Sequence, residues 1–173
     1  MKIKCLLASL LFTFFGNAQL LSWSPNFLQE GSVTIEITND ATKGNQGLKD
    51  YANTTDVYVH IGVITSKSTS ASDWKYSKFT WATTPSNAQC VLTSTNKWKY
   101  TISGGLRSYF GITDATEKIL KIAILFRNGN GSSVQRNTDA SDMYIPVYDN
   151  GMYACHCRWS QAGQCGHPRP ATG

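Results

Sequence analysis

The sequence predicts an all-β fold, a single antiparallel β-sandwich, on three observations. Short runs rich in Val, Ile, Thr, Tyr and Trp recur; Gly, Asn, Asp, Ser and Pro cluster between them; and few windows carry apolar residues at a helical period. About 155 residues follow residue 18, enough for one domain with a proper core and too few for two.

In chain order, SVTIEIT at 32–38 turns Val33, Ile35 and Ile37 one way and Thr34, Glu36 and Thr38 the other, as a half-buried strand requires. At 55–64, Val57, Val59, Ile61 and Val63 share one face, and Tyr58, His60 and Ile64 the opposite one. Further strands are expected at 74–80, 89–94, 97–103, 118–127 and 143–148, about seven in all. Both faces of 118–127 are largely apolar, Leu120, Ile122, Ile124 and Phe126 on one and Ile119, Ala123 and Leu125 on the other, so it should be central and covered on both sides. LRSYFGI at 106–112 suits one helical turn, and NGNG at 128–131 a tight turn, since Asn and Gly tolerate positive φ.

The ends differ from this body. MKIKCLLASLLFTFFGNA, with two lysines, an apolar run and small residues at Gly16 and Ala18, has the layout of a secretory signal cleaved after Ala18. Its apolar run of about a dozen residues is short of the roughly 20 that a membrane span needs. A secreted, periplasmic or cell-surface location is therefore expected, with no membrane span in the mature chain. After Asn150, GMYACHCRWSQAGQCGHPRPATG loses all alternation, and the expectation is a disordered or out-of-frame tail over 151–173.

Charge narrows the partners. Of sixteen Lys and Arg, Lys2, Lys4, Arg158 and Arg169 lie at the ends, which leaves twelve against eleven Asp and Glu in the body. A near-neutral body argues against nucleic acid, whose binding needs a clustered basic surface.

Motifs for catalysis are missing: there is no nucleophile elbow, no HExxH, no phosphate-cradling glycine loop, and one histidine in the body. Asp139 and Asp142 in TDASD read as a solvated loop. No catalytic residue and no cofactor is nominated, although Asp40, Asn45, Asp50 and Asp56 around ATKGNQGLKDY leave calcium open beside an ordinary polar turn. Cys155, His156, Cys157, Cys165 and His167 offer soft ligands at a spacing unlike a standard zinc site. Cys90 is the lone body cysteine, so the core must hold without a disulfide.

Aromatic residues carry the functional signal. Trp98, Tyr100 and Ile102 share a strand face and read as core, and Trp23 as an edge residue before Pro25. Trp74 follows the polar loop SKSTSASD, and Trp81 precedes ATTPSN. With His60, rings at the borders of polar loops can form a flat surface on which a sugar stacks, flanked by hydrogen-bonding side chains. The alternative is that loops simply cover them.

The order VYVHIGV, Trp74, Trp81, NKWKYTI, ILKIAILFRNGNG and DMYIPVY resembles the starch-binding modules of carbohydrate-binding families 25 and 26, over residues 32–148. It also resembles the N-terminal modules of secreted bacterial α-amylase-family enzymes. The resemblance implies an immunoglobulin-like sandwich that binds α-glucan without catalysis, with His60 and Trp74 in the site, Tyr58 beside His60, and a glycoside hydrolase domain as partner. The family's late loop, FxNGxGxWDNN, appears here as FRNGNGSSVQRNTDASD: Phe126, Asn128 and Gly129 match, and the Trp is absent. Gln135 and Asn137 are the polar substitutes, and Trp81 the second platform. The expected alternatives are a structural spacer domain, or the N-terminal fragment of a glycoside hydrolase.

Overall fold

The computed structural model describes residues 19–149. Among the described residues eight strands form two antiparallel sheets: β1 (Leu21–Ser24), β2 (Thr34–Asp40), β3 (Val57–Thr65), β4 (Val91–Ser94), β5 (Lys97–Ser103), β6 (Ile119–Asn128), β7 (Val134–Gln135) and β8 (Met143–Pro146). One sheet runs β1-β2-β5-β4. In the other, β3 pairs one edge of β6, while β7 and β8 pair β6 at Phe126–Arg127 and Lys121–Ile124. The expected single β-sandwich is the fold found. Among the described residues helix is confined to α1 (Leu106–Phe110), within the expected 106–112, and a 3-10 turn at Ser86–Ala88.

The core lies between the sheets and follows strand parity. Ile35 and Ile37 of β2 and Trp98, Tyr100 and Ile102 of β5 meet Val57, Val59, Ile61 and Val63 of β3 and Ile122, Ile124 and Phe126 of β6. Burying each aliphatic side chain contributes roughly 1.5–3 kcal/mol, which holds the sheets together with no disulfide among the described residues. Trp98 also donates its indole N–H to the Thr54 carbonyl (3.0 Å), so its one polar atom is satisfied inside. Val33 departs from expectation: it precedes β2 and is 70% exposed.

β6 is covered on both sides, as its apolar faces imply: its outward residues Ala123, Leu125 and Arg127 are buried as well. Only its start differs. The register shifts between Ile64 and Thr65, and Leu120 at that irregularity is 45% exposed.

The strand expected at 74–80 is replaced by an irregular edge along β3. Lys75 exchanges backbone hydrogen bonds with Val63 (2.7 and 3.0 Å), and the Lys78 amide reaches the Ile61 carbonyl (2.9 Å). Tyr76 between them has φ +52°, a left-handed conformation that a strand cannot propagate. NGNG turns tightly, with Gly131 N–H donating to Asn128 O (3.1 Å), and joins β6 to β7.

Candidate functional site: an aromatic groove on the outer face of the second sheet

Alternation along β3 sends Tyr58, His60 and Gly62 to the outer face, opposite Arg127, Leu125 and Ala123 of β6. Gly62 makes room there: a Cβ at this position would stand 3.4 Å from the Trp74 ring and 3.0 Å from the Lys75 carbonyl. Trp74 therefore lies over a bare stretch of backbone, next to the Lys75–Val63 bridge that fixes it along the strand.

Its approach loop is equally constrained. Asp73 accepts hydrogen bonds from the Thr69 amide (2.8 Å) and hydroxyl (3.0 Å), and Tyr76 donates to Glu117 (2.8 Å), a buried carboxylate also bonded by Thr65. The indole N–H of Trp74 points to the Tyr144 hydroxyl at 3.4 Å.

Trp81 closes the other side. His60 stacks near-parallel on Trp74, with centroids 5.6 Å apart and planes at 21°, and meets Trp81 edge to face at 5.1 Å and 82°. One imidazole thus joins two indoles. Trp81 is 40% exposed, whereas Trp74 is half-buried against the core.

Trp81 also rests on the guanidinium of Arg127, 5.5 Å from its ring, and Tyr58 lies 5.7 Å from the same group. Arg127 is fully buried. Its N–H groups donate to the carbonyls of Thr83, Asn128 (2.8 Å) and Gly129 (2.9 Å), tying the segment after Trp81 to the NGNG turn. Gly131 in that turn has φ +75°, and a Cβ there would come within 2.7 Å of the Trp81 indole nitrogen.

Together these groups line an open groove of about 400 Å³, which His60, Trp74, Trp81 and Leu125 share with the ion-paired Arg136 and Asp142. Burial, then the charge of Arg127, holds the His60 pKa below its ordinary 6.5, so the imidazole is neutral at pH 7. Its Nδ1 is buried with no hydrogen-bond partner. Aromatic rings beside an ion pair and the Ser72 and Ser77 side chains can stack on a ring and hydrogen-bond its substituents.

Of the seven residues expected at a site, His60, Trp74 and Trp81 come together. Tyr58 packs on Arg127 and does not line the groove. Asn128 is engaged in its own turn, accepting from the Ser133 amide (3.0 Å) and donating to Ser132 (3.1 Å). Gln135 is buried, accepting from the Leu48 amide (3.3 Å) and donating to the Lys43 carbonyl (2.7 Å). Asn137 braces the rim instead of lining it, donating to the Asp142 carbonyl (2.8 Å). Arg127, Arg136 and Asp142 were not anticipated. The signal for Arg127 was present, since a cation directly follows five uninterrupted apolar residues, Ile122 to Phe126, of the central strand.

The residues weighed for calcium each have local partners. Asp40 accepts from Thr42, Asp50 from Asn96, Asp56 from Tyr51, and Asn45 from Gly47 and Arg136. No group of three or more His, Cys, Asp or Glu suited to a metal occurs among the described residues. The expected signal at 1–18 and the tail's Cys155, His156, Cys157, Cys165 and His167 lie outside those residues. Among the described residues no helix is long and apolar enough to cross a membrane.

Fold and groove define a β-sandwich with an aromatic cleft on its outer face. No protein-family model matches the chain, and no curated protein matches it in sequence.

Proposed function

We propose that this chain is a non-catalytic α-glucan-binding module, secreted and working beside a glycoside hydrolase. The observation that carries the reading is His60 held between Trp74 and Trp81 at the mouth of an open groove. An α-linked glucose unit has an apolar face that suits an indole and hydroxyls that suit the polar side chains lining the groove, Ser72, Ser77, Arg136 and Asp142. The likeness of VYVHIGV and the following tryptophans to carbohydrate-binding families 25 and 26 agrees with this. The strand order is compatible with it: β1-β2-β5-β4 and β3-β6-β8, with the two-residue β7 also paired to β6, can be aligned with the A-B-E-D and C-F-G sheets of an immunoglobulin-like sandwich.

Stacking of a base on an aromatic ring contributes ~1–3 kcal/mol, and a sugar belongs near the low end, so a single module binds weakly. Retention on a polymer then depends on repeated or linked sites. No cofactor enters the reading.

Affinity electrophoresis of the full chain through gels of soluble starch, dextran and xylan tests it. Retardation in starch alone supports the reading. Unchanged mobility in all three contradicts it and favours a structural spacer.

A further inference from the structure

We infer that Arg136 and Asp142 act as a charge screen on the groove, admitting neutral sugars and rejecting acidic ones. The inference rests on the sugar-binding reading of the groove and adds a choice among sugars to it. Both residues line the same cleft as the rings, and each is only part-exposed. Nη1 of Arg136 is bonded to Oδ1 of Asp142, while Nη2 and Oδ2 bond no other described residue. The pair therefore offers one donor and one acceptor side by side, the arrangement that two neighbouring sugar hydroxyls complement.

The pair is held in place from both sides. The backbone of Arg136 exchanges hydrogen bonds with Asn45, through its amide to Oδ1 (2.9 Å) and its carbonyl to the Asn45 amide (3.1 Å). Asp142 is fixed through its carbonyl by Asn137, and Asp139 closes the intervening turn by accepting from the Ser141 amide (3.0 Å) and hydroxyl (2.6 Å). A groove lined by Arg136 alone would attract carboxylated sugars. With Asp142 beside it the two lining charges cancel, and a sugar carboxylate would meet the Asp142 carboxylate in a partly desolvated cleft, where like charges repel.

The test uses the full-length chain and the isosteric variant Asp142→Asn, run in gels containing starch, polygalacturonate or no polysaccharide, with thermal melts as a folding check. Wild type is expected to be retarded by starch and to ignore polygalacturonate. Asp142→Asn should acquire polygalacturonate retention at least about fivefold stronger than wild type, the effect of roughly 1 kcal/mol of unmasked charge. The double variant Arg136→Met/Asp142→Asn should lose that gain. Absence of a gain in Asp142→Asn, or its persistence in the double variant, overturns the inference. If wild type ignores starch while Asp142→Asn still gains polygalacturonate retention, the α-glucan reading fails and the charge screen stands.

Discussion

The imidazole of His60 lies 5.6 Å from the Trp74 indole with its plane inclined by only 21°. Trp81 meets the same imidazole edge-on at 5.1 Å, so all three rings share one neutral centre. They come from different places, His60 from β3 and the indoles from the irregular chain that follows it. The groove thus depends on how that chain is pinned to the strand.

The two tryptophans should separate binding from folding. Trp81 is 40% exposed, and truncating it removes its contacts with His60 and the Arg127 guanidinium without opening the core. Trp81→Ala is expected to weaken starch retention about tenfold while changing unfolding free energy by no more than ~1 kcal/mol. Trp74→Ala removes a half-buried ring and its bond to Tyr144, and should weaken binding and also cost about 2 kcal/mol of stability. Denaturant titrations beside affinity gels check both.

His60 makes stability depend on pH in a defined direction. Burial and Arg127 lower its folded-state pKa from the ordinary 6.5, so the unfolded chain binds the proton more readily. Its contribution is complete above 6.5 and is lost as pH falls from there to the folded-state value. Urea unfolding at pH 7.5 and 5.5 should show a drop in stability that is smaller in His60→Gln. An equal drop in both proteins contradicts this.

Arg127 is a buried cation that bonds backbone carbonyls and two aromatic faces. Arg127→Met leaves the carbonyls of Thr83, Asn128 and Gly129 without that donor and should cost about 3 kcal/mol. It should also free Trp81. An altered Trp81 indole resonance, measured under conditions where the variant is folded, would show the second effect apart from the first.

Gly131→Ala tests the turn beneath Trp81. The φ of +75° and a new Cβ within 2.7 Å of the indole nitrogen both oppose the substitution. A loss of about 1–2 kcal/mol is expected, together with weaker starch retention as the ring is pushed off its seat.

Much of the fold was legible because strand burial is a parity code. Val57, Val59, Ile61 and Val63 alternate strictly, and the double apolar pattern of 118–127 identified the central strand. What failed was local backbone. Nothing in WKYSKFT announces that Tyr76 adopts positive φ, and β7 has only two residues. At the groove, rings at loop borders were readable because large aromatics beside polar loops are unusual. Arg136 and Asp142 were not, since their juxtaposition depends on a turn at 137–141 closed by Asn137, Asp139 and Ser141. Asn128 and Gln135 looked available from sequence because polar side chains that satisfy backbone cannot be told there from those that face a ligand.

Residue-specific observation of the indole N–H groups during titration with maltoheptaose tests the central claim most directly. The chain has five tryptophans, so the described core residue Trp98 and edge residue Trp23 serve as internal controls. The account predicts that the Trp74 and Trp81 resonances shift and saturate together while Trp98 and Trp23 stay fixed. Titration that leaves Trp74 and Trp81 unmoved would contradict it.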